Sequence, residues 1–165
     1  MSALAAGTRA PEIALPILNG SNFSLQEALQ RGPVLAVFFK ISCPVCQYAL
    51  PFIERLHKAY GDKKITIVGV SQDNPRDTAA FMKEFGLTFP VLLEDSSTYA
   101  VSNAYGLTNV PSVFLIAPDG EIEISIVGWV KQEYEDLNRR LANAQKSPLA
   151  ALFKPSEQVH DFRAG

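Results

Sequence analysis

The chain has 165 residues, of which 47% are hydrophobic and 19% charged, and its 15 basic and 17 acidic residues give a formal charge of −2. That length suits one domain able to bury a core without covalent staples, and the composition excludes a disordered or fibrous chain. The two signs of charge are intermixed, so no basic patch points to nucleic acid, and no apolar run approaches the roughly 20 residues that span a bilayer.

The opening MSALAAGTRAPEIALP has no basic segment followed by a long apolar one, so it does not read as a secretory signal. The expectation is a soluble, cytoplasmic protein with no membrane partner. Ala10 to Leu18 is an apolar, proline-punctuated entry, and Ser24-Leu25-Gln26-Glu27 fits a capping box opening a short helix over 25–30. VLAVFFK (34–40) is a nearly continuous β-prone run, the pattern of a strand buried on both faces. Ala49, Ile53, Leu56 and Tyr60 then recur at helical spacing up to Gly61, and ITIVGV (65–70) reads as a second buried strand.

Asn74-Pro75 starts another helix, with Thr78, Phe81, Met82 and Phe85 on one face and Gly86 as its stop. FPVLLE (89–94) is a short strand, and Ser96 to Tyr105 holds a short helix. SVFLIA (112–117), the turn Pro118-Asp119-Gly120 and EIEISIVG (121–128) form a β-hairpin. The helix KQEYEDLNRRLANAQK (131–146) follows, with Tyr134, Leu137, Leu141 and Ala144 inward. Alternating strands and helices, closed by a hairpin and a helix, predict an α/β sandwich around a central mixed sheet. Residues 1–146 form that domain, and 147–165 are a tail that docks through Leu149, Leu152 and Phe153.

The only two cysteines stand in FFKISCPVCQYALPFI (38–53), three apart, where strand turns into helix. A structural staple is a poor explanation, because closing so short a loop removes little unfolded-state entropy. A zinc site needs two further ligands, and His57 and His160, the only histidines, are not adjacent by spacing, so no metal is expected. A pair of inert buried thiols fits poorly with the strand-to-helix junction. A redox pair has a mechanism. Pro44 belongs at the first helical position and pushes Cys43 out of the α region, making Cys43 the N-cap. Its sulfur then faces the free N–H groups of Val45 and Cys46, which with the helix dipole favour a thiolate. Cys46 lies within disulfide reach and deeper, placed to resolve a mixed disulfide.

A strand ending in two phenylalanines, then C-P-V-C, then Pro51 inside the helix resembles the thioredoxin superfamily. The likeness continues at Asn109-Val110-Pro111-Ser112 before a hairpin strand, and at Gly128 after it. The opening G-x-x-A-P-E-I-x-L, VGVSQD, the insertion EDSSTYAVSNAYGLTNVPS and A-P-D-G-E-I resemble the redoxin branch, which spans alkyl-hydroperoxide-reductase-like and cytochrome-maturation-type thioredoxins. The resemblance covers roughly residues 10–145 and implies a thioredoxin-like three-layer sandwich. It also implies a cis Val110–Pro111 bond facing the cysteines, with Val110, Pro111 and Pro44 at the substrate.

The implied activity is disulfide reduction in protein substrates, with no cofactor, an unidentified thiol reductant to recycle the pair, and a monomer or weak dimer. A thiol-peroxidase reading would make Cys46 the peroxide-attacking sulfur. The chain has Cys43 where peroxiredoxins carry a threonine, and it lacks their arginine near Pro111. A non-catalytic binding module is the third reading. Ser42 replaces the usual tryptophan and Val37 the usual buried acid; water or Lys40 would stand in for that acid, although Lys40 reads first as a solvated charge at the strand end. With no histidine between the cysteines, a reductant is expected rather than a strong oxidant. Trp129 is either a groove-flanking or a packed aromatic, His57 a solvated helix residue, and Tyr99 and Tyr105 packing residues.

Overall fold

A computed structural model describes residues 2–61 and 64–165. Short antiparallel strands β1 (Ala14–Pro16) and β2 (Asn22–Ser24) lead into α1 (Leu25–Leu29). The five-stranded sheet is built from β3 (Val34–Phe39), β4 (Thr66–Ser71), β5 (Val91–Leu93), β6 (Ser112–Ile116) and β7 (Ile122–Val127), in the order β5-β4-β3-β6-β7. β3, β4 and β5 run parallel, whereas β6 pairs antiparallel with both β3 and β7. The helices are α2 (Pro44–Tyr60), α3 (Pro75–Glu84), α4 (Ala100–Ala104) and α5 (Lys131–Gln145), and a small ribbon joins β8 (Trp129–Val130) to β9 (Phe162–Arg163).

The central strand explains its own sequence. All six β3 residues are buried, and alternate side chains enter two cores. Leu35, Val37 and Phe39 meet α2, α3 and α5, while Val34, Ala36 and Phe38 pack with α1, Tyr105 and Phe114. Helices therefore cover both faces, the three-layer arrangement expected from the sequence.

Local differences have local causes. Ser24 Oγ accepts from Glu27 N–H at 3.3 Å, half of the expected capping box. Glu12 supplies the other contacts at this helix start: its carboxylate accepts from Ser24 Oγ, Gln26 N–H and Ile13 N–H. In α5 the inward positions include Asn138 and Ala142, whereas Ala144 is exposed. The helix faces Tyr60, whose hydroxyl donates to Asn138 Oδ1 at 2.6 Å and accepts from Ala150 N–H at 2.8 Å. The tail docks through Leu152 and Phe153, as expected, but Leu149 points to solvent. Arg55 clamps it further, donating to the Leu152 carbonyl at 2.7 Å and to both carboxylate oxygens of Glu157 at 2.7 and 2.6 Å.

Candidate active site

Cys43 caps α2 with extended backbone (φ −85°, ψ 115°), and Pro44 occupies the first helical position. The Cys46 N–H donates to Cys43 Sγ at 3.2 Å. Of the two donors expected there, Val45 at the second helical position and Cys46 at the third, the Cys46 N–H is the one that bonds the sulfur. Cys43 is half-buried and Cys46 completely so, and both are free thiols. Burial, followed by the adjoining Cys43 sulfur, pushes the Cys46 thiol well above its ordinary range. The outer sulfur is thus reachable and held by a backbone donor, while the inner one is kept protonated in the core.

The loop before β6 closes the site from the other side. The Val110–Pro111 peptide is cis, and the Cys43 thiol donates to the Val110 carbonyl at 3.4 Å. Cys43 and Val110 therefore meet although 67 residues separate them, with Pro44 following Cys43 at the helix start. Pro111 itself is buried. Ser112 Oγ ties the same loop down by donating to the Asn109 carbonyl at 2.7 Å.

Several contacts at the site could not be read from the sequence, although Asp73 closes the VGVSQD run. Asp73 Oδ2 accepts from Ile41 N–H at 2.8 Å, and Gln47 Nε2 donates to the Ile41 carbonyl at 2.9 Å, together fixing the turn that presents Cys43. A cleft of about 260 Å³ opens beside Val110, lined in part by Lys40, Tyr99, Asn103 and Asn109. Lys40 reaches over the Tyr99 ring, 5.4 Å from its centre, so it belongs to this cleft wall. The tail reaches the loop before β6, since β9 pairs with β8 and Asn109 Nδ2 donates to the Gly165 carbonyl at 2.9 Å. Gly128 was its one visible trace: at φ +73°, a Cβ there would lie 2.8 Å from the Arg163 carbonyl oxygen.

The remaining sequence expectations divide. Trp129 is a packed aromatic, fully buried among Tyr48, Phe52 and Tyr134. Tyr105 is core, its hydroxyl donating to the Pro11 carbonyl at 2.6 Å, whereas Tyr99 is half-buried. His57 is not solvated. It is half-buried against Phe89, and its Nδ1 is enclosed with no hydrogen-bond partner among the described residues. His160 packs on Tyr48, and among the described residues no three His, Cys, Asp or Glu side chains group where a metal could sit. Among the described residues, too, no helix is long and apolar enough to cross a membrane.

A mixed sheet flanked by helices, with a C-x-x-C pair capping one helix opposite a cis-proline loop, defines a dithiol protein of the thioredoxin-like class. The chain belongs to the AhpC/TSA family, whose model matches residues 6–125. It is 30% identical over 141 residues to the thiol-disulfide oxidoreductase ResA of Geobacillus kaustophilus, covering 85% of this chain and 78% of that one. The thioredoxin domain of a thiol-disulfide oxidoreductase from Bacteroides vulgatus superposes with a TM-score of 0.74 at 26% identity, over 84% of this chain and 99% of that one. A thiol:disulfide interchange protein from a Bacteroides species does so with a TM-score of 0.73 at 26% identity, over 87% and 92% respectively.

Proposed function

We infer that the chain is a thiol-disulfide oxidoreductase that reduces disulfides of protein substrates through Cys43 and Cys46. One observation carries this reading: a reachable sulfur holds a helix N-terminal N–H and faces the Val110 carbonyl, with a second sulfur buried behind it. Cys43 thiolate attacks one sulfur of the substrate disulfide. A Cys43–substrate S–S bond forms as the original bond breaks, and the other substrate sulfur leaves as a thiolate that takes up a proton. Cys46 then loses its proton and attacks Cys43 Sγ, expelling the second substrate thiolate and leaving a Cys43–Cys46 disulfide. Two electrons pass from the dithiol to the substrate, and an external thiol reductant returns them. A reducing compartment such as the cytoplasm suits that cycle.

The peroxidase alternative requires Cys46 to meet peroxide first, and Cys46 has no exposed surface. A peroxide-consumption assay on the single-cysteine variants tests it. Consumption retained by Cys43→Ser and lost in Cys46→Ser would support peroxidase chemistry. Insulin reduction lost in Cys43→Ser supports the exchange reading.

A further inference from the structure

Dithiol exchange needs the two sulfurs and the loop they face, yet the tail is threaded across one side of that same loop. β9 adds itself antiparallel to the edge of β8, pairing Arg163 with Trp129 and Phe162 with Val130. The Lys131 N–H donates to the Asp161 carbonyl at 2.9 Å, and Trp129 Nε1 donates to the His160 carbonyl at 2.6 Å. His160 N–H donates to the hydroxyl of Tyr48, two residues beyond Cys46, and the Arg163 guanidinium lies 5.0 Å from the centre of the Tyr48 ring.

The segment then reaches the nucleophile's own partner. The Gly165 carbonyl is held by Asn109, and a Cβ on Gly165 would lie 2.6 Å from the Val110 carbonyl oxygen. That oxygen is the acceptor of the Cys43 thiol. An extended peptide docks most readily where a strand edge and a free carbonyl offer backbone partners. Here both are taken: the β8 edge by Phe162 and Arg163, and the flank of Val110 by Gly165. The approach left open beside Val110 is the polar cleft lined in part by Lys40, Tyr99, Asn103 and Asn109.

We propose that residues 161–165, anchored by Asn109, are a specificity-determining wall. They occupy the strand position beside Val110 and bias the enzyme against disulfides carried in extended chains, in favour of those that enter over the cleft. This rests on the exchange reading above. Phe162, largely exposed on the outer side of β9, marks where the wall meets solvent rather than core.

Gly165→Leu tests the wall within the full chain, because its side chain cannot fit against the Val110 carbonyl and must lift the segment. Two substrates are compared: a linear peptide whose central cysteine is in mixed disulfide with nitrothiobenzoate, and the free dinitro aromatic disulfide itself. The ratio of kcat/KM for the peptide to that for the small disulfide is expected to rise about fivefold, mainly through a lower peptide KM, and Asn109→Ala moves it in the same direction. An unchanged or lower ratio in Gly165→Leu overturns the proposal. A second arm needs no turnover. In Cys46→Ser protein, Gly165→Leu is expected to raise the rate of Cys43 alkylation by a bulky maleimide relative to iodoacetamide, and an unchanged ratio again counts against the wall. Failure of the unaltered chain to reduce either disulfide would instead sink the exchange reading, with the alkylation ratio still deciding on the wall.

Discussion

Cys43 Sγ sits between the N–H of Cys46, 3.2 Å away, and the carbonyl of Val110, 3.4 Å away. The donor belongs to the first turn of α2 and the acceptor to the loop before β6, so the sulfur links two elements distant in sequence. It is also a helix cap, which separates its chemical role from its structural one. Cys43→Ser keeps a capping acceptor, whereas Cys43→Ala removes it, so the alanine variant is expected to be less stable than the serine variant by ~0.5–1 kcal/mol. Denaturant midpoints measure this, and equal midpoints would show that the cap contributes nothing.

The buried Cys46 thiol must ionise before it can resolve the mixed disulfide, and burial holds it protonated. Resolution is therefore expected to accelerate as pH rises, by roughly tenfold per unit while the thiolate remains a small fraction. Single-turnover release of the second product, followed from pH 6 to 9, checks this. A flat profile would mean that a neighbouring base removes the proton.

Glu157 fastens the tail to α2 through Arg55, whose hydrogen bonds hold its carboxyl down to about 2, against an ordinary 4.5. The folded value is the lower one, so this contribution is complete above about 4.5 and fades as pH falls toward about 2. Trp129, the only tryptophan, donates its ring N–H to the His160 carbonyl and so reports on the tail by fluorescence. A change between these pH values is expected in the natural sequence and should vanish in Glu157→Gln. Identical profiles in the two proteins would contradict the assignment.

Tyr60 joins α2 to the tail and α5 through Asn138 and Ala150, and Asn138 Nδ2 returns a bond to the Ala150 carbonyl at 2.9 Å. Tyr60→Phe leaves the Asn138 Oδ1 acceptor and the Ala150 donor without this partner in a buried setting, so it is expected to cost about 1–3 kcal/mol. The urea midpoint should fall with an unchanged slope. A loss below a few tenths of a kcal/mol would show that water replaces the hydroxyl.

The sheet was legible because β3 and β4 are buried runs, and the cysteine pair because Pro44 marks the helix start. Resemblance alone supplied the cis bond at Val110. Contacts set by chain crossings were not legible. Glu12 stands 14 residues before the Gln26 N–H it satisfies, and Asp73 stands 32 after Ile41. Ala142 and Ala144 are the same residue type in one helix, yet Ala142 joins the core that holds Tyr60 and Leu152 while Ala144 is exposed. β9 has two residues, one of them the exposed Phe162, too short for any periodicity to show. His57 escaped because Phe89, which covers it, arrives from another part of the chain.

The division of labour between the two sulfurs is tested most directly by trapping. Cys46→Ser protein, mixed with an oxidised protein substrate, is expected to accumulate a covalent adduct of one enzyme and one substrate molecule. Mass spectrometry should place the bond at Cys43, and dithiothreitol should release it. Cys43→Ser protein should form no such adduct. An adduct through Cys46 in the Cys43→Ser protein, or none in the Cys46→Ser protein, would contradict the account.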